Sequence, residues 1–184
     1  GVVAETERQA FKAIELIRAN SSWSKNKINI NAKNIYTKLK SNKNQSYYVK
    51  DGSAIDKPID LNNYNLKHNI QSTYLRPYQM HASIGPSAAV AKYENGKYFV
   101  WTNSQGIYPL KIALAEAIGI SRNNIRIYHN PGPGSYGHNG ADDAALDACL
   151  LAREVEGKHV KVQWKREDEN LWEPYGPAMR MELS

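Results

Sequence analysis

A single cysteine, Cys149, stands in 184 residues, so the chain can build neither an intrachain disulfide framework nor a thiolate cluster for a metal. Redox compartment stays open on this count. No run of about 18 apolar residues is present, which excludes a membrane-spanning helix, and no charged leader followed by an apolar core marks a signal peptide. No internal repeat of roughly 20 to 50 residues is evident. An initiator methionine is also lacking at Gly1, and the closing "MRMELS" alternates like a strand in mid-flow. Together these lead to the expectation of a piece of a larger protein.

What is present suits one ordinary domain with a real core plus an arm: 41% of the residues are hydrophobic, though one long polar stretch lowers that fraction locally. The net charge of +6 and the pI near 9.3 would permit a nucleic-acid partner. The lysines, however, sit mostly in an Asn/Lys/Ser-rich zone between residues 21 and 67. They do not interleave with aromatics on a nucleic-acid motif, so the zone reads as solvated chain and no nucleic acid is expected.

Residues 5–19, "ETERQAFKAIELIRA", place Ala10, Phe11, Ile14 and Ile17 on one helical face behind Thr6 as a cap. From residue 20 to 69 periodicity is weak, which predicts a long polar arm with a short helix near residues 35–39; Trp23, Tyr47, Tyr48 and Val49 are expected to pack. The pattern then turns regular. "NIQSTYLRPYQ" reads as a strand, and "SAAVAKY" and "YFVWTN" form a hairpin around Asn95 and Gly96. "IYPLKIALAEAIGI" is a helix closed by Gly119, "NIRIYHN" a strand, and residues 141–154 a helix with Leu146, Leu150 and Leu151 inward. "VKVQWKR" and "AMRMELS" complete the strands. The order predicts an α+β fold: a mixed β-sheet with helices packed on one face, preceded by a helix and an irregular arm.

The stretch "NPGPGSYGHNGADDAALDACLLA" carries the chemistry. Gly132, Gly134 and Gly137 leave the backbone bare ahead of a helix start, so several amide N–H groups can meet an oxyanion or phosphate beside the positive end of the helix dipole. A tight structural connection is the plainer alternative. The spacing fits neither a Walker loop nor a dinucleotide fingerprint. Asp142 and Asp143 suit helix capping, His138 flanks the bare backbone, and Cys149 among leucines reads as a small buried apolar residue. Gln105, at the end of "VWTNSQ", can donate and accept at a strand's carboxyl end.

Four motifs in one order, "RPYQMHASIGPSAAVA", "VWTNSQGIYPLKIALAEAIGI", "GSYGHNGADDAALDACLLA" and "VQWKREDENLWEPYGPAMRMEL", resemble the molybdenum-binding subunit of the xanthine dehydrogenase and aldehyde oxidase family. The resemblance is nearest to the isoquinoline 1-oxidoreductase and nicotinate dehydrogenase branch. It runs from about residue 74 to 184, and residues 1–20 are similar to the end of the family's hammerhead domain. By this resemblance residues 21–69 connect and residues 70–184 form part of the molybdopterin-binding domain. It implies a molybdopterin cofactor with molybdenum, commonly the cytosine dinucleotide form in bacteria, and oxidation of an aldehyde or hydroxylation of an N-heteroaromatic ring. Oxygen would come from water and electrons would pass to a small iron-sulfur partner subunit. Gln105 matches the family glutamine that hydrogen-bonds an oxo ligand, and Gly134, Ser135, Tyr136 and Gly137 match the loop whose amides face the metal centre. His138 and Arg166 are the substrate-side candidates.

The sequence also departs from the family pattern. Gly140 stands where xanthine-type members carry a substrate-orienting glutamate, and Gly85 where many members of the family have a glutamate before proline, which argues against purine substrates. The family's glutamate base matches no segment here; Glu173 precedes Pro174 in a different motif and takes no catalytic role. The piece alone is therefore expected to be inactive and to carry no bound pterin. Relatives of this type occur in the cytoplasm and beyond the inner membrane, so compartment stays open. Two other classes remain on the table: a scaffold module that keeps the fold without cofactor, and a phosphate or nucleotide binder.

Overall fold

A computed structural model of the chain describes residues 1–24, 31–58, 70–137 and 141–184, the side chains of residues 141–143 excepted. Along the chain run α1 (Glu7–Ala19), α2 (Ile35–Ser41), β1 (Tyr48–Lys50), β2 (Ser53–Ile55), β3 (Ser72–Arg76), β4 (Ala88–Glu94), β5 (Lys97–Thr102) and α3 (Ile107–Ile118). After a 3₁₀ turn come β6 (Ile125–His129), α4 (Ala141–Arg153), β7 (His159–Gln163), α5 (Arg166–Trp172) and β8 (Met179–Leu183). They fall into two compact units, Gly1–Lys25 with Met80–Tyr175 and Asn26–Gln79 with Gly176–Ser184.

The first unit is built on a four-stranded sheet in the order β6-β5-β4-β7. β4 runs antiparallel to β5 and β7, while β5 and β6 are parallel, so the sheet is mixed as the element order predicts. Period-two alternation sorts its faces. Ala91 lies between Val100 and Val160, and Tyr98 beside Ile125; all five are buried in one core with α3 and α4. Asn95 and Gly96 close the β4–β5 hairpin with φ of +50° and +75°, the pair of left-handed residues that matches strand twist. Gly119, at φ +77°, ends α3 by donating to the Ala115 carbonyl.

Two expectations about packing need correction. In α4 the fully buried residues are Ala144, Ala145, Ala148, Cys149 and Ala152, whereas Leu150 is exposed and Leu146 and Leu151 are half-buried. The helix meets the sheet through its small side chains, which let the two backbones approach closely; Leu146 and Leu151 pack against this core part-buried, as expected, and of the three leucines Leu150 turns outward. Burial pushes the Cys149 thiol up to about 12, as expected of an inert residue rather than a nucleophile.

α1 starts with a capping box: Thr6 Oγ1 accepts from Gln9 N–H and Gln9 Oε1 accepts from Thr6 N–H. It buries no residue completely. Arg18 reaches Glu167 at 3.0 Å, and the Phe11 ring lies under Lys165 Nζ at 4.8 Å.

In the second unit β3 pairs with β8 and β1 with β2. Asp51 and Gly52, at φ +52° and +78°, turn the short β1–β2 hairpin, an Asp-Gly signal within what reads as an irregular arm. Tyr47, Tyr48 and Val49 were expected to pack but are exposed, as is Trp23 in the first unit. A two-stranded ribbon has no further layer to cover its side chains.

Candidate functional site

Strand direction gathers the chemistry at one end of the four-stranded sheet. β5 and β6 are parallel and end together at Thr102 and His129, so the segments that follow them, residues 103–106 and 130–137, leave from the same edge. β4 runs the other way and pairs Ala89 with Thr102, so residues 80–87 enter it there. β7 ends at Gln163 opposite Ala88, which sends residues 164–173 from that edge as well. Carboxyl ends of parallel strands are where α/β layers place ligands.

Main-chain hydrogen bonds tie three of these segments at the sheet edge: Asn130 N–H donates to Thr102 O at 2.9 Å, and Trp164 N–H to Ser87 O at 2.9 Å. Between the segments the glycines meet their neighbours directly. A Cβ on Gly132 would lie 2.5 Å from Asn103 Cβ, one on Gly85 3.0 Å from Pro133 Cγ, and one on Gly137 2.8 Å from His81 Cδ2. Gly85 therefore does more than lack a carboxylate. Its missing side chain is the space into which Pro133 fits, so a side chain there would press on Pro133 of the glycine-rich turn.

Within that turn Gly134, Tyr136 and Gly137 have φ of +105°, +55° and +117°. Positive φ falls at two glycines, so this backbone carries no side-chain bulk at Gly134 and Gly137. Tyr136 folds back over Gly134, leaving 2.9 Å between its ring and the missing Cβ, and remains 62% exposed. Ser135 is half-buried, and Gln105 is exposed in the bend between β5 and α3, whose N-terminal cap is Gly106. His138 lies outside the described residues, as do the side chains of Asp142 and Asp143. Among the described residues no group of three or more His, Cys, Asp or Glu is arranged to hold a metal ion.

Arg166 opens α5 and donates from Nη2 to Ser83 O at 2.8 Å and to Ile84 O at 2.7 Å. It holds the segment in front of Gly85. α5 holds two further points of that segment. Glu169, 1% exposed, accepts the Ser87 N–H, and Glu173, 7% exposed, accepts from His81. Sequence reasoning assigned neither glutamate this part. Their spacing of four, which sets both carboxylates on one side of a short helix, was the signal available.

These features define a small α+β domain with four connecting segments gathered at one sheet end. The chain belongs to the family described as the molybdopterin cofactor-binding domain, which matches residues 40–184; it is a domain of the molybdenum hydroxylase large-subunit type. It is 36% identical to a nicotinate dehydrogenase subunit of Pseudomonas putida across 100% of this chain and 15% of that protein. It is 34% identical to the aldehyde oxidoreductase molybdenum-binding subunit PaoC of Escherichia coli across 53% of this chain and 13% of that one.

The fold is shared with quinoline 2-oxidoreductase from Pseudomonas putida 86, at TM-score 0.54 and 20% identity over 61% of this chain and 15% of that one. Aldehyde oxidoreductase from Desulfovibrio gigas gives 0.53 and 16% over 68% and 14%. The chain thus spans about 15% of the length of the relative it matches from end to end. No helix among the described residues is long and apolar enough to cross a membrane.

Proposed function

We propose that this chain is the part of a molybdenum hydroxylase large subunit that offers bare backbone to the molybdopterin. The whole protein would oxidise an aldehyde or hydroxylate an N-heteroaromatic ring. The carrying observation is the turn of residues 132–137: three left-handed residues, two of its glycines pressed against Asn103 and His81, at the loop end of the sheet. Amides held so rigidly offer hydrogen bonds to anionic oxygen without paying for reorganisation on binding. In this reading Gln105 with the backbone of Gly134, Ser135, Tyr136 and Gly137 faces the cofactor, while His138 and Arg166 belong to the substrate side. The cofactor, in its cytosine dinucleotide form, supplies two-electron redox chemistry with oxygen from water. Electrons leave to an iron-sulfur partner subunit. The general base belongs to another part of the protein.

Glycines at positions 85 and 140, where the resemblance leads one to expect carboxylates, favour a neutral ring or an aldehyde over a purine, and the 36% identity to a nicotinate dehydrogenase supports a heteroaromatic acid. The test is expression of the whole protein with its neighbouring subunits under cofactor-competent conditions, followed by elemental analysis and assays with nicotinate-type rings and aldehydes. About one molybdenum per chain and turnover of one of these classes is the expected result. Intact protein that carries no molybdenum would overturn the reading in favour of a scaffold module.

A further inference from the structure

Glu173 presents a cost that the fold must offset. Its side chain is 3% exposed, and a carboxylate taken out of water is destabilising unless charge-assisted hydrogen bonds compensate it. Both of its described partners belong to one residue: Oε1 accepts the backbone N–H of His81 and lies 2.6 Å from His81 Nδ1. One oxygen therefore fixes the main chain of His81 and the plane of its ring together. The opposite edge of that ring meets the glycine-rich turn. A Cβ on Gly137 would stand 2.8 Å from Cδ2 and 3.0 Å from Nε2, so the imidazole fills the room that any other residue at 137 would need.

We infer that Glu173 and His81 are a positioning pair: the buried carboxylate sets the imidazole, and the imidazole sets where the backbone at Gly137 stands. Two other contacts share the load, Arg166 on the carbonyls of Ser83 and Ile84 and Glu169 on the amide of Ser87, so α5 with Glu173 fastens residues 81–87 at several points. Gly85 meets the turn at Pro133, and His81 meets it at Gly137, where the ring edge crowds the backbone directly. The structural inference stands by itself; its consequence for cofactor binding rests on the function proposed above.

The discriminating variant is His81→Asn in the whole protein. Asparagine can still donate to Glu173, so no buried charge is left unpaired, but the ring edge against Gly137 is gone. Local opening of the turn is read by native-state chymotrypsin cleavage after Tyr136, 62% exposed, with cleavage after Tyr47, 73% exposed, as the control. We expect cleavage after Tyr136 to rise by about tenfold while cleavage after Tyr47 and the melting temperature stay unchanged, because only a local opening equilibrium is shifted. Glu173→Ala should act likewise, and Glu173→Gln, which keeps an acceptor at Oε1, should return cleavage to within about threefold of the parent.

Molybdenum content is the second readout, expected to fall in His81→Asn and to recover in Glu173→Gln. Unchanged cleavage after Tyr136 in His81→Asn would overturn the inference, as would equal acceleration at both tyrosines. A parent protein without molybdenum would sink the proposed function alone, since the cleavage ratio still decides the pair.

Discussion

The hairpin turn at Asn95 and Gly96 and the turn at residues 132–137 use glycine for opposite physical reasons. At Gly96 φ is +75° and nothing lies within 4 Å of where a Cβ would be; the chain needs the torsion and nothing else. At Gly132 the torsion is not left-handed, yet a Cβ would stand 2.5 Å from Asn103 Cβ. Gly137 combines both demands. A glycine in open space is punctuation, while a glycine against a second segment marks where the fold brings backbone up to something.

Gly132→Ala separates crowding from torsion and should have the largest effect. Asn103 cannot yield by swinging the end of a flexible side chain, because the collision includes its own Cβ; one of two backbones must move. Overpacking of this kind costs about 3 kcal/mol at its upper range. The expected outcome is a lower urea midpoint together with loss of molybdenum from the whole protein. A variant with parental midpoint and metal content would show that the close approach is not needed.

Crowding explains as well what the sequence made legible. Features set by a few neighbouring residues stood out: the Thr6 cap, the stop at Gly119, the hairpin at Asn95 and Gly96, and the bare turn itself. Features set by distance between elements did not. Whether α4 faces the sheet with leucines or with alanines depends on how near the two backbones come, and no periodicity records that. α5 is short and polar, and the buried glutamates in it and just past its end have partners some eighty or ninety residues away, so the four-residue spacing of Glu169 and Glu173 was its one local trace. The Asp51 and Gly52 turn was readable in principle and was hidden by the polar stretch around it.

The small-residue face of α4 sharpens the same comparison through pH. Cys149 is fully buried and its thiol is pushed up to about 12 from 9.0, by burial alone. A group whose folded value is raised contributes its full stabilisation below the unfolded value and loses it as pH climbs toward the folded value. Between about pH 8 and about pH 10.5 the parent should therefore lose about 2 kcal/mol that Cys149→Ala does not lose. The check is urea unfolding of both at a series of pH values. Parallel pH profiles would mean that the thiol is not held in so dry a place.

The smallest effect belongs to the open glycine. Replacing Gly96 by alanine adds a methyl group into empty space, so only the left-handed torsion is penalised, at about 1 kcal/mol. Gly96→Asn should cost less, since asparagine tolerates this region and Asn95 beside it already occupies it at φ +50°. The ranking glycine, asparagine, alanine in urea midpoint, with molybdenum content unchanged throughout, is what torsion alone demands. The hairpin joins two strands by their own ladder, at the end remote from Thr102, so a small loss there has no route to the residues that crowd Gly132. If Gly96→Ala emptied the protein of molybdenum as Gly132→Ala is expected to do, the two turns would not be doing different jobs, and crowding would lose its value as a pointer to the site.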